Sequence, residues 1–565
     1  MLTSCCYLFT CAQTRFKGFV KNENGRLLPK VHISGDKGAA LDYTDSLGRF
    51  ELIVVNSKDT VSFTLEGYQP LRVILRYSEN NQIVLKKNLP GKKTLNSFIS
   101  KEHSRDAIEL YGGETYSSLI ENPAVSTEQF KSVSFAVNTN RASYSNVRRF
   151  INMESRVPSD AVRIEEMLNY FNFNYADPID KDIFKTSSVI ATCPWNENHN
   201  LLFLSVATKT LDLAKVPPCN FVFLIDISGS MDLPNKLPLI KSGLRLLVKN
   251  LRKIDSVSII GYGKSINVIV ESVPGSKKDS LIRVIESLNA EGGTPGEAGL
   301  RLAYKVAKRR FITGGNNRII LATDGDFNVG ASSEKELEKL IEQEGATGIQ
   351  LVCLGVGMGN YKDSKLYLMA QKGHGNFAYL DNEAEAQKVL VSDFSQTLFT
   401  VAENVYFTIT FDSSVVKEFR LIGYDNKRSA LEDSYNQLEG GEIGPGQSLS
   451  AVFEIATDES IKSSQILATL TIHYQLPTSA TNQFWRYVCS YNQTSYHNLD
   501  AGIKKAMNVA MLGMKLKNSS YAKEITWSYI EKNAKQVFNS KTAIDKQYLE
   551  LVAKARKIYK KKEED

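Results

Sequence analysis

The segment Phe221-Val-Phe-Leu-Ile-Asp-Ile-Ser-Gly-Ser-Met231 ends an unbroken apolar run on one carboxylate and two hydroxyls. A short apolar run that follows Pro217 and Pro218 reads as a strand buried on both faces, as in a parallel sheet covered by helices. The carboxyl end of such a strand is where open α/β sheets bind ligands. Two later turns add oxygens: Thr294 in Glu-Gly-Gly-Thr-Pro, and Asp324 closing Arg318-Ile-Ile-Leu-Ala-Thr-Asp324. Asp226, Ser228, Ser230, Thr294 and Asp324 thus offer oxygen side chains without nitrogen or sulfur. Such hard donors suit Mg²⁺, Mn²⁺ or Ca²⁺, and a site that keeps waters suits Mg²⁺ best.

The surrounding pattern is that of an α/β domain over 218–400. Leu237, Ile240, Leu244, Leu247 or Val248, and Leu251 recur at helical spacing and predict a helix lying on the sheet. Strands expected at 256–260, 266–270, 318–323, 350–355 and 376–380 alternate with helices near 281–288, 298–309, 334–342, 366–372 and 383–399. That alternation specifies a doubly wound sheet. Gly261-Tyr-Gly-Lys-Ser265 lacks the upstream glycine of a phosphate loop. Gly355-Val-Gly-Met-Gly359 lacks the third glycine of a dinucleotide fingerprint at the right spacing.

The ordered set Asp-x-Ser-x-Ser, then Thr, then Asp resembles the metal-ion-dependent adhesion site of von Willebrand factor type A domains. The resemblance implies that the hydroxyls of Ser228, Ser230 and Thr294 ligate the metal, while Asp226 and Asp324 bind it directly or through water. With only two carboxylates facing it, the dication stays electrophilic towards an Asp or Glu presented by a partner protein. Phe135 to Phe150, Ala161 to Phe171 and Cys193-Pro-Trp-Asn196 resemble the amino-terminal extension of one bacterial subfamily of these proteins. Arg420-Leu-Ile-Gly-Tyr424 and Glu442-Ile-Gly-Pro-Gly446 resemble the carboxy-terminal domain of the same subfamily.

Other readings of the same residues stand beside this one. Ser228 and Ser230 could cap the following helix, and Asp324 could open a turn. A metal-dependent hydrolase could use Asp226 or Asp326 as nucleophile or base. Ser228, however, stands where a phosphatase of that kind places its second carboxylate, and no Lys or His near the set has an evident role. His374 is the nearest candidate and reads as a turn residue. A structural envelope protein with a vestigial site is the third reading. The expectation is therefore a binding module, not an enzyme.

A chain of 565 residues exceeds one hydrophobic core and suggests about three or four domains. The expected order is a residual signal segment at 1–12, a β-sandwich at 16–87, a linker at 88–130, the extension at 131–217, the α/β domain at 218–400, and a β-rich then helical domain at 401–565. The fold class is multidomain α/β. Short strands spaced by Gly and Asn turns carry the first domain, which resembles transthyretin-like, carboxypeptidase regulatory-like modules. The net charge of +7 is spread among interleaved acidic residues, so nucleic acid is not an expected partner.

Met1 to Ala12 is short, apolar and without a basic start, like the back half of an export signal. Cleavage after Ala12 and a lipid anchor on Cys11 are both open, and either places the protein in the periplasm or at the outer membrane and cell surface. Cys193, Cys219, Cys353 and Cys489 fit no zinc spacing. Cys353 reads as a small core residue, and Cys193 and Cys219 are candidates to pair after export.

Overall fold

The computed structural model describes residues 14–35, 42–54, 58–65, 68, 71–76, 81–86, 94–96, 107–110, 114–117, 119–173, 175, 177–179, 182–211, 216–325, 334–359, 361–427, 440–458, 460–477 and 479–560. The apolar segment at 1–12, with Cys11, and Asp326 lie outside these. The chain divides into two compact units, Met1–Lys93 and Thr94–Asp565.

In the first unit, Thr14–Asn22 buries Phe16 and Val20 and pairs antiparallel with Arg49–Val54 and parallel with Asn81–Leu85. A second sheet orders Asp42–Tyr43, His32–Gly35, Lys58–Thr64 and Leu71–Arg76. Phe16, Phe50 and Ile83 from one sheet meet Ile33, Val61 and Phe63 from the other in a single core. Burying a side chain of this size is worth roughly 1.5–3 kcal/mol.

The second unit contains the doubly wound sheet. Its strands run Ile266–Pro274, Ser256–Tyr262, Cys219–Asp226, Asn316–Thr323, Ile349–Val356 and Phe377–Leu380 across six positions. All neighbours are parallel except the Ile266–Pro274 edge, which is antiparallel to Ser256–Tyr262. Alternation along one strand divides the two faces: Phe221, Phe223 and Ile225 pack under Leu237–Asn250, while Val222 and Leu224 pack under Gly296–Arg309. From Cys219–Asp226 the chain goes first to Ser256–Tyr262 on one side, then to Asn316–Thr323 on the other. The switch point therefore lies at Asp226 and Thr323.

The region expected as one helix at 383–399 is broken. An α-helical turn, Glu383–Gln387, passes into a π-helical turn, Lys388–Ser392, before Phe394–Leu398 resumes.

Residues 131–217 and 401–565 do not form successive domains. Ser132–Ala136 pairs with Ala402–Phe411, and Asn200–Thr208 pairs with Ser448–Thr457. Two sheets built from both segments enclose one core, in which Phe135 meets Phe407 and Phe453. The helices interleave likewise: Ala142–Asn152 and Ile164–Asn169 share a core with Ala501–Leu516, Trp527–Val537 and Ala543–Lys560. Hydrophobic pattern marks each strand but not which distant strand it joins.

The stretch expected as a linker is also built in. Thr94–Asn96 pairs with Ser132–Ala136, and Glu114–Ser117 carries the buried Glu114 and Tyr116. Glu114 is held by Arg149 at 2.7 and 2.8 Å and accepts from the Gly359 amide at 2.8 Å. Burial raises this carboxyl, but Arg149 overcomes it and holds the group below its ordinary range. Arg163 makes a similar buried pair with Asp363 at 2.7 Å, tying Ile164–Asn169 to the Asp363–Lys372 helix. The cysteines do not pair: Cys193, Cys219, Cys353 and Cys489 are all free and buried.

Candidate metal centre

The chain leaves the sheet at Asp226, whose carboxylate is fully buried. Its Oδ1 accepts from the Ser228 amide at 2.9 Å, bending the chain into the Gly229–Met231 turn. Its Oδ2 accepts from the Thr323 hydroxyl at 2.8 Å and the Tyr262 hydroxyl at 3.2 Å, so both neighbouring strands fix the carboxylate. The Gly325 amide donates to Thr323 Oγ1 at 3.1 Å and completes the relay. Burial lifts the Asp226 carboxyl above its ordinary range, against the lowering effect of hydrogen bonds from Ser228 and Thr323.

Ser228 and Ser230 turn their hydroxyls together, 3.1 Å apart, with Ser228 buried and Ser230 exposed. The Ile227 backbone is gripped from both sides: its amide donates to Tyr262 O at 2.8 Å, and its carbonyl accepts from the Glu291 amide at 2.7 Å. The Gly229 amide donates to Gly292 O at 3.0 Å. These bonds bring the 290–295 loop, with half-buried Thr294, beside the Ser228 turn. The loop's backbone is thus joined to the serine turn at Glu291 and Gly292, three and two positions before Thr294.

Asp324 follows the Asn316–Thr323 strand directly and is 1 % exposed. Its partner was not foreseen: Lys236 Nζ lies 2.8 Å from Asp324 Oδ2, with 5 % of the lysine side chain exposed. The expectation that no lysine near the set has a role is therefore overturned. Lys236 sits just before the Leu237–Asn250 helix, its amide donating to Leu233 O at 2.9 Å. Its stem crosses Gly357, whose φ of +81° and lack of a side chain make the passage: a Cβ there would stand 2.5 Å from Lys236 Cε. Tyr262 and Thr323, which aim Asp226, were also missed, because each reads simply as the end of an apolar strand.

The donor chemistry fits a hard dication. Among the described residues no three His, Cys, Asp or Glu side chains converge as a metal cluster, so a cation held here would rest on hydroxyls beside Asp226 and Asp324. His374 lies elsewhere, in a turn at φ 52°, with Nδ1 3.4 Å from Glu442. Asn138 and Asn140 have structural partners: Asn138 donates to Glu165 and Glu166, and Asn140 Oδ1 accepts from the Phe377 amide.

Comparison with known proteins matches three family descriptions along the chain. They are von Willebrand factor at residues 111–203, von Willebrand factor type A domain at 221–326, and the C-terminal region of uncharacterized protein YfbK at 396–558. Uncharacterized protein YfbK of Escherichia coli K12 is 36% identical over 450 residues, covering 75% of this chain and 78% of that protein. The magnesium-chelatase 67 kDa subunit of Chlorobaculum tepidum is 30% identical over 192 residues, 31% of this chain and 30% of the subunit. The solved von Willebrand factor type A protein from Catenulispora acidiphila aligns at a TM-score of 0.38 with 13% identity, over 65% of this chain and 88% of that one.

Proposed function

Because the chain belongs to the von Willebrand factor type A proteins homologous to YfbK, a domain family of mostly protein-binding modules, we propose that it binds a partner protein through a divalent cation. Asp226, Ser228, Ser230, Thr294 and Asp324 would hold Mg²⁺, Mn²⁺ or Ca²⁺. When bound, the ion supplies a Lewis-acidic position for an Asp or Glu of the partner. The observation that carries this reading is the convergence of Asp226, the Ser228–Ser230 hydroxyl pair and Asp324 at the topological switch point.

The same geometry argues against Asp226 as a nucleophile. Its carboxylate is buried and both oxygens are engaged, Oδ1 by the Ser228 amide and Oδ2 by Thr323 and Tyr262. A nucleophile must bring its oxygen into bonding contact with the substrate's reacting atom, which a buried carboxylate held by three hydrogen bonds does not do, whereas a metal ligand needs only the lone pair that those bonds leave over.

The envelope location and the likeness of the first unit to regulatory-like spacer modules complete the proposal. The location rests on the apolar segment at 1–12, and the spacer role on the two small sheets around Phe16 and Phe63. Among the described residues no helix is long and apolar enough to cross a membrane.

Calorimetry with Mg²⁺ and Mn²⁺ tests the site. Asp226→Ala and Asp324→Ala should abolish binding and leave the sheet folded, whereas Thr294→Val, losing one neutral oxygen, should weaken it less. Unchanged Mg²⁺ affinity in both aspartate variants would overturn the assignment. Metal-dependent hydrolysis of phosphate esters that disappears in Ser228→Ala would favour catalysis instead.

A further inference from the structure

We infer that Lys236 is a tethered counter-cation of Asp324 that makes capture of the divalent ion depend on the partner's carboxylate. The inference rests on the metal-binding reading and specifies how that site is regulated.

Among the described residues, the buried charges on the serine turn and the two strand ends are Asp226, Asp324 and Lys236; Glu297, at the head of the Gly296–Arg309 helix, is paired with Arg301. Two carboxylates and one ammonium leave a net charge of −1. A dication would turn that to +1, an uncompensated charge beside the buried side chains of Asp226, Asp324 and Lys236. Such a charge is costly to bury unless it is paired. One partner carboxylate returns the site to neutrality. Without Lys236 the sequence differs: the aspartates alone carry −2, the dication neutralises them, and a further carboxylate makes the site negative again. The ammonium thereby shifts the preferred state from metal alone to metal with carboxylate.

Lys236 is built into this place. Its stem lies in the groove that Gly357 leaves open, and the backbone of the Leu233–Lys236 turn fixes its root. The ammonium donates a charge-assisted hydrogen bond to Asp324 Oδ2, and an ion drawing on that carboxylate must compete with it. Neutral Asn or Gln in the partner would not balance the positive site, so the same arrangement selects acidic over amide side chains.

Mn²⁺ titration of the full chain, with acetate as the carboxylate probe, tests the inference. In the native protein, acetate should raise Mn²⁺ affinity several-fold. Lys236→Met, which keeps the stem over Gly357, should bind Mn²⁺ without acetate roughly ten- to a hundredfold more tightly, the worth of one charge-assisted hydrogen bond, and acetate should then add little. Lys236→Gln, a polar and uncharged replacement, should show the same loss of acetate dependence if the methionine variant is poorly folded. Equal or weaker Mn²⁺ binding in both folded variants would overturn the inference, leaving Lys236 as a residue that merely positions Asp324. Binding in neither native protein nor variants, with Asp226→Asn indistinguishable from them, would instead remove the metal reading itself, and the inference with it.

Discussion

The Gly229 amide donates to the Gly292 carbonyl at 3.0 Å and, with the Glu291 amide donating to Ile227 O at 2.7 Å, joins the turn that begins at Asp226 to the loop that carries Thr294. Gly292 adopts φ +82°, and a Cβ there would stand 2.4 Å from Lys264 Cα. The loop can reach the serine turn only with glycine at that position.

Gly292→Ala should therefore act on the site at a distance. A side chain in this conformation costs about 1–3 kcal/mol in strain, which the exposed loop relieves by moving, so Mn²⁺ affinity should fall by about tenfold while the helical content is unchanged. Calorimetry alongside circular dichroism measures both. Unaltered affinity would show that the loop does not contribute.

Arg149→Ala tests whether residues 114–117 belong to the folded unit. It leaves Glu114 buried without its guanidinium, and losing one partner of a buried pair costs about 3–5 kcal/mol. Chemical denaturation should show that loss. A change within error would return the segment to the role of a linker.

Glu165 sets a pH dependence. Burial first, then the charges of Glu166 and Asp425, push its carboxyl up to about 7. The folded state thus holds a proton that the unfolded chain releases from about pH 4.5 upward. This contribution to stability is fully present below that value and is lost as pH rises through about 7. Glu165→Gln keeps the neutral form, so it should raise stability at pH 8 by about 2 kcal/mol and leave pH 4 little changed. Urea unfolding at the two pH values decides it, and equal effects at both would contradict the assignment.

Export is tested by mass spectrometry of the protein expressed behind a basic signal region. Gln13 at the amino end, outside the cytoplasm, is the expected result. A diacylated Cys11 would favour the lipid anchor, and an intact Met1 in the cytoplasm would defeat both readings.

The sequence made some of this architecture legible and hid the rest for physical reasons. Phe221 to Asp226 and Arg318 to Thr323 announce themselves because strands buried on both faces must be apolar throughout, and their ends then expose Asp226 and Asp324. Lys236 carries no such signal. It stands in a polar turn, and its partner is 88 positions away. The pairing of Phe135 with Phe407 across the sandwich sheet was hidden likewise, since register between distant strands is settled by the assembled core. Glu114 read as linker because a buried charge looks like an exposed one until its arginine is placed.

The interleaving of strands from both sides of the Cys219–Leu380 sheet has a mechanical consequence. That sheet is threaded into the chain between Asn200–Thr208 and Ala402–Phe411, whose strands belong to one sandwich. A pull applied at Asp226 would leave the sheet through two tethers that both run into this sandwich. The sheet is thus loaded like a bead held by both ends of its thread. Tension along the main chain from the first unit meets the sandwich strands at Thr94–Asn96 and Ser132–Ala136 before it can reach the turn after Asp226.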